Sequence, residues 1–208
     1  TAVTDLTTNS LVDLDLVRGS QVLWTAVMKK QVVSYGDVYH WIALTDPGKS
    51  PHRFAESSFG DDSEVGGDMS SNFSKIVGLA FLNEFAGATW FKVLRPLWGN
   101  TLATTGGPVS ISKPRPDDDG PDYLAAPFDP TNAGLGGPFY AVEFKGKKAK
   151  VEFNSGTFRS WSSQSTNVLL TGGATGAPVN LKSWVVGFNY GFAQPMGSRE
   201  LSALLVED

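Results

Sequence analysis

The chain has 208 residues, with 17 Lys+Arg against 21 Asp+Glu, a net charge of -4 and no cysteine. That excludes a disulfide scaffold, a thiolate metal centre and a cysteine nucleophile. A hydrophobic content of 41%, including 13 Phe and 6 Trp, excludes a disordered tail, and no apolar run approaches the ~18–20 residues that span a bilayer.

The chain opens on Thr1, read here as a processed or trimmed start with no signal peptide remaining. No Lys or Arg precedes Arg18, so no basic arm is expected to neutralise nucleic-acid phosphates. Val22 to Met28 and Val38 to Leu44 are apolar and β-branched, which predicts two strands, separated at Tyr35-Gly36-Asp37. Residues 45–74 are polar and predict a long loop with at most one short helix, near His52–Ser57. Ile76 to Leu82 and Thr89 to Leu94 are two further apolar runs in a strand-dominated pattern. Residues 99–138 predict mostly loop around a short strand, Val109 to Ser112, which Pro114 and Pro116 terminate because proline has no N–H to donate.

Phe139 to Phe144 and Ala149 to Phe153 predict a half-buried hairpin about Lys145-Gly146-Lys147-Lys148. Val142 and Phe144 lie on one side, and Glu143 faces solvent on the other. The cluster Lys145, Lys147, Lys148 and Lys150 reads as a solvated hairpin tip rather than a nucleic-acid surface. Ser155 to Gly176 is rich in Ser, Thr and Gly. Trp184, Val186, Phe188 and Tyr190 alternate as another strand. Glu200 to Val206 fits a strand or one to two helical turns, with strand preferred.

With about nine short strands, 23 Gly and 12 Pro in the chain and long Gly/Pro-rich loops, the expected fold is all-β: an antiparallel, jelly-roll-like β-sandwich. One domain, 1–208, is expected, with a sub-boundary considered within 113–138. Strands do not alternate with long amphipathic helices, so parallel βαβ pairing is not expected.

No constellation predicts catalysis. Ala43 to Ser50 resembles a phosphate-binding loop, but no long helix is expected to follow it. His40 sits in an apolar strand. Ser50, His52 and Asp46 are too close in sequence to converge on one reacting atom. Carboxylate pairs for glycoside hydrolysis would come from the acidic run with Glu84, Glu143 or Glu152, and no pair stands out. Asp117, Asp119 and Asp122 are the candidate ligands for a hard cation such as calcium, because such ions take oxygen donors from a turning loop. A solvated turn is the alternative. Trp90, Trp98, Trp161 and Trp184 are either core or a sugar-stacking platform.

One resemblance is carried by Leu16-Val17-Arg18-Gly19-Ser20, the strand Val22–Lys30, Ser34 to Val38 and Asp46-Pro47. It is similar to the Arg-Gly-Ser strand, turn and next strand of jelly-roll capsid proteins of picorna-like viruses. Val109 to Ser112 followed by Asp122 to Pro127 resembles the last jelly-roll strand and its acidic-aromatic sequel. The resemblance implies a non-enzymatic capsid shell subunit or protruding domain, located in the virion and assembled in the host cytoplasm. It implies other copies of itself and sibling capsid subunits as partners, a host receptor or glycan at the loops, and neither strong nucleic-acid binding nor a membrane span. The alternative expectation is a carbohydrate-binding or phage receptor-binding β-sandwich module.

Overall fold

The computed structural model describes residues 2–5, 63–133, 138–147, 154–172, 176–189 and 201–207. In chain order these form β1 (Ala2–Asp5), α1 (Ser63–Ala86), β2 (Trp90–Val93), a 3-10 turn (Arg95–Leu97), β3 (Thr101–Leu102), β4 (Val109–Ser112), β5 (Tyr123–Ala126) and the short α2 (Pro130–Ala133). They continue as β6 (Phe139–Lys147), α3 (Gly156–Ser165), β7 (Leu169–Gly172), β8 (Ala177–Pro178), β9 (Leu181–Asn189) and β10 (Leu201–Glu207).

The described chain is mostly β and makes two sheets, ordered β1-β10-β9-β6-β5-β2 and β3-β4-β7-β8. They share one core. Leu102, Val109, Ile111 and Leu170 from the smaller sheet pack with Leu124, Ala126, Phe139 and Ala141 from the larger. This is the coarse form of the expected sandwich, in which apolar faces of two sheets exclude water between them.

Burial along the strands shows the difference between the sheets. In β4, Val109 and Ile111 are buried while Ser110 and Ser112 are exposed, so one face of the small sheet meets solvent. All four residues of β5 are buried. At β6 and β9 the larger sheet is covered on its second face too, because α1 packs there on the side away from the small sheet. There Phe81 meets the Trp184 ring edge-on at 5.9 Å, and the Tyr140 hydroxyl donates to the Ala86 carbonyl at 3.3 Å. The helix backbone approaches β6 closely at Gly78, where an added Cβ would collide with the Phe144 ring. The helix stops at Gly87, whose φ of 63° suits a residue without a Cβ.

Several expectations hold. The run Thr89 to Leu94 contains β2, Val109 to Ser112 is β4, the alternating segment from Trp184 lies in β9, and the C-terminal strand is β10. Others need correction. Ile76 to Leu82 is helical, and the helix begins at Ser63, inside the stretch read as loop. A short apolar run buried all round has no period that separates strand from helix. Lys145, Gly146 and Lys147 are not a turn but the end of β6, which pairs with β9 out to Lys147↔Asn189.

That pairing is parallel, against the wholly antiparallel expectation. The chain between the two strands passes through α3, β7 and β8, and a long crossover of this kind is what parallel neighbours need. α3 itself lies in the Ser/Thr/Gly-rich segment. It is started by the Ser155 hydroxyl, which accepts from Phe158 N–H at 3.2 Å, and anchored by buried Phe158 and Trp161. The predicted strands Val22–Met28 and Val38–Leu44, the second hairpin arm Ala149–Phe153, and His40, His52 and Tyr190 lie outside the described residues.

Candidate functional site

An open cleft of about 510 Å³ lies where the 3-10 turn, the loop after β4, the start of β5, Lys75 of α1, and Glu143 and Lys145 of β6 converge. Its floor is made by two carboxyl groups. Asp122 and Glu143 stand opposite each other, one step beyond the last paired residues of β5 and β6, Tyr123↔Val142. Each side chain accepts from a backbone N–H of the opposite segment. Glu143 Oε2 accepts from Asp122 N–H at 3.1 Å, and Asp122 Oδ2 accepts from Phe144 N–H at 3.1 Å. The clamp continues the ladder by side-chain bonds where the two strands diverge.

Glu143 is only 2% exposed, which corrects the expectation that it faces solvent. Alternation does place it opposite Val142 and Phe144. The face it occupies, however, is the inner one with Phe139 and Ala141, and a strand inside a two-sided sheet has no wet side. Burial pushes its carboxyl up to about 7, the charge of Asp122 adds to the rise, and the Lys145 ammonium that pairs with it opposes it. Burial likewise raises Asp122, against the Phe144 N–H and Lys145 and Lys75, which lower it.

The acidic loop is organised by a residue that the sequence reading did not single out. Asn167 is fully buried. Its Nδ2 donates to the carbonyls of Arg115 at 2.9 Å, Asp118 at 3.3 Å and Asp119 at 3.1 Å, and its Oδ1 accepts from Arg115 N–H at 2.9 Å. The inward carbonyls of the loop are therefore spent on an amide. At the rim, Arg115 pairs with Asp118 at 2.8 Å, and its guanidinium also reaches Ser163 of α3. A buried Asn after a helix is hard to recognise in sequence; the one available signal is its place directly behind α3.

The calcium candidates separate. Asp119 and Asp122 line the cleft, while Asp117 is exposed and does not. Among the described residues, no group of three or more His, Asp or Glu is arranged to hold a metal ion. Glu84 is exposed on α1, and Glu152 lies outside the described residues. Of the tryptophans, Trp98 lines the cleft. Trp161 is buried in α3, Trp184 packs against Phe81 and Tyr140, and Trp90 packs on the core beside Phe139. Trp98 rests on Gly120, where a Cβ would lie 2.7 Å from the indole, and Lys113 Nζ stands 6.0 Å from its ring centroid.

The cleft can therefore offer an aromatic wall, ammonium and guanidinium donors, and carboxyl and amide acceptors. Comparison with protein-family models, curated proteins and solved structures finds no match to this chain. Among the described residues, no helix is long and apolar enough to cross a membrane.

Proposed function

We propose that the chain is a non-enzymatic structural protein of a small non-enveloped virus, a capsid shell subunit or protruding domain. It assembles through repeated interfaces with copies of itself and sibling subunits into an icosahedral virion, and offers loops to a host receptor. The observation that carries the reading is the Arg18-Gly19-Ser20 segment with its flanking strand pattern, and the resemblance rests on those residues and on Val109–Pro127 alone. Support from the fold is of a general kind. Within Val109–Pro127 the chain leaves one sheet as β4 and enters the other as β5, as a sandwich subunit requires. The parallel β6–β9 pair departs from the antiparallel jelly-roll arrangement. Light scattering and electron microscopy of the purified native assembly test the reading. A megadalton particle is expected, and a 22.3 kDa monomer would remove it.

The cleft favours a second reading, a carbohydrate-binding or phage receptor-binding β-sandwich module. Trp98 beside Asp119 and Gln164 pairs an aromatic surface with hydrogen-bonding groups, the combination that sugars use. A glycan array run with and without calcium tests it, and silence in both conditions would rule it out.

A further inference from the structure

The groups around the cleft are not equally occupied. Lys145 is paired with Glu143, and Lys113 donates to the Asp118 carbonyl at 2.7 Å. Lys75 on α1 and Arg95 in the 3-10 turn also line the cleft, and neither makes an ion pair or hydrogen bond among the described residues. A second imbalance lies on the acceptor side. Gln164 Nε2 donates to Asp119 at 3.3 Å, which leaves Gln164 Oε1 buried without a hydrogen-bond partner. That oxygen is closed to solvent, so the acceptor a ligand can reach is the exposed Asp119 carboxylate beside it.

The volume of about 510 Å³ lies within the ordinary size range of small-ligand sites. The lining, however, is mostly polar, so the matching ligand is polar too. It must bring an anionic group to Lys75 and Arg95, at least one hydroxyl donor to the Asp119 carboxylate, and a compact ring that can lie along Trp98. A bare anion lacks the donor and the ring. A neutral sugar lacks the charge.

We propose that this cleft binds an acidic sugar, a carboxylated pyranose either free or at the end of a glycan, with Lys75 and Arg95 holding the carboxylate. The proposal deepens the carbohydrate-binding reading and rests on it. Arg95 is exposed and Lys75 only partly buried, so replacing them tests the site without emptying the core.

The experiment is calorimetric titration of the whole chain with D-glucuronate, D-glucose and inorganic phosphate at low salt. It uses the wild type, Lys75→Gln, Arg95→Gln and the double variant, with thermal melts confirming that each is folded. Glucuronate is expected to bind more tightly than the other two. The loss of charge-assisted bonds in the double variant weakens it by about tenfold or more, with glucose binding unchanged. Asp119→Ala weakens both sugars, because it removes the carboxylate acceptor common to them. Equal binding of glucose and glucuronate would overturn the acid preference and leave the carbohydrate reading standing. Equal binding of phosphate and glucuronate would overturn the sugar assignment. Binding of none of the three would remove the proposal, and a silent glycan array beside it would remove the broader reading as well.

Discussion

Glu143 and Phe144 are consecutive on β6, and both are almost wholly buried, 2% and 4% exposed. They nevertheless face two different interiors. Phe144 enters an apolar layer between sheet and helix, where its ring lies 5.2 Å from Tyr123 and against the bare backbone of Gly78. Glu143 enters a polar layer on the opposite face of the same strand, where an ammonium, a facing carboxyl and a backbone N–H surround it. Burial by itself therefore says little about the forces at a position. In the first layer stability comes from close packing and is insensitive to pH. In the second it comes from matched charges and protons.

The largest expected effect tests the apolar side. Phe144→Ala should cost about 4 kcal/mol in denaturant unfolding, the usual range for emptying a buried aromatic site. Gly78→Ala should also destabilise the wild type, and much less in the Phe144→Ala background, where the ring it would strike is gone. Equal costs in both backgrounds would mean that helix and strand are not in contact there.

The polar side should show the next largest effect, through pH. The folded-state value for Glu143 lies near 7, above the ordinary 4.5, so the native chain holds this proton more tightly than the unfolded chain. The stabilisation is fully present below about 4.5 and is lost as pH rises through about 7, roughly 3 kcal/mol over the whole window. Asp122, also raised, acts with the same sign. Melting temperature should fall between about pH 5 and about pH 8, and Glu143→Gln should flatten the curve. A profile that the substitution leaves unchanged would place the titration elsewhere.

Asn167→Ala should cost about 2 kcal/mol, because it strands three loop carbonyls that now share one amide. Raised hydrogen exchange confined to residues 115–119 would be its signature. The smallest effect is at the exposed rim. Asp118→Asn removes the surface ion pair with Arg115 and should change stability by less than about 1 kcal/mol, less still in high salt.

The same contrast explains what was legible. β4 could be read directly because one face is wet, so Val109 and Ile111 alternate with serines. α1 could not, because Ile76, Val77, Leu79, Ala80, Phe81 and Leu82 are all buried and a helix closed in on every side loses its 3.6-residue stripe. Asp117, Asp119 and Asp122 read together as candidate calcium ligands, and of these Asp119 and Asp122 line the cleft. Glu143, their neighbour in the cleft, was assigned to solvent, since alternation separates the two faces of a strand without saying whether either is wet.

Composition and local pattern alone determined a cysteine-free, loop-rich chain of mostly β structure, and located β2, β4, β9 and β10 close to their observed ends. Those features depend on neighbours a few residues away. Tertiary structure alone decided that β6 and β9 lie parallel, that a helix covers the second face of the larger sheet, and that Asp122 meets Glu143 across a strand end. Each joins residues some twenty or more positions apart, and no local periodicity encodes which distant segment will exclude water from a given face.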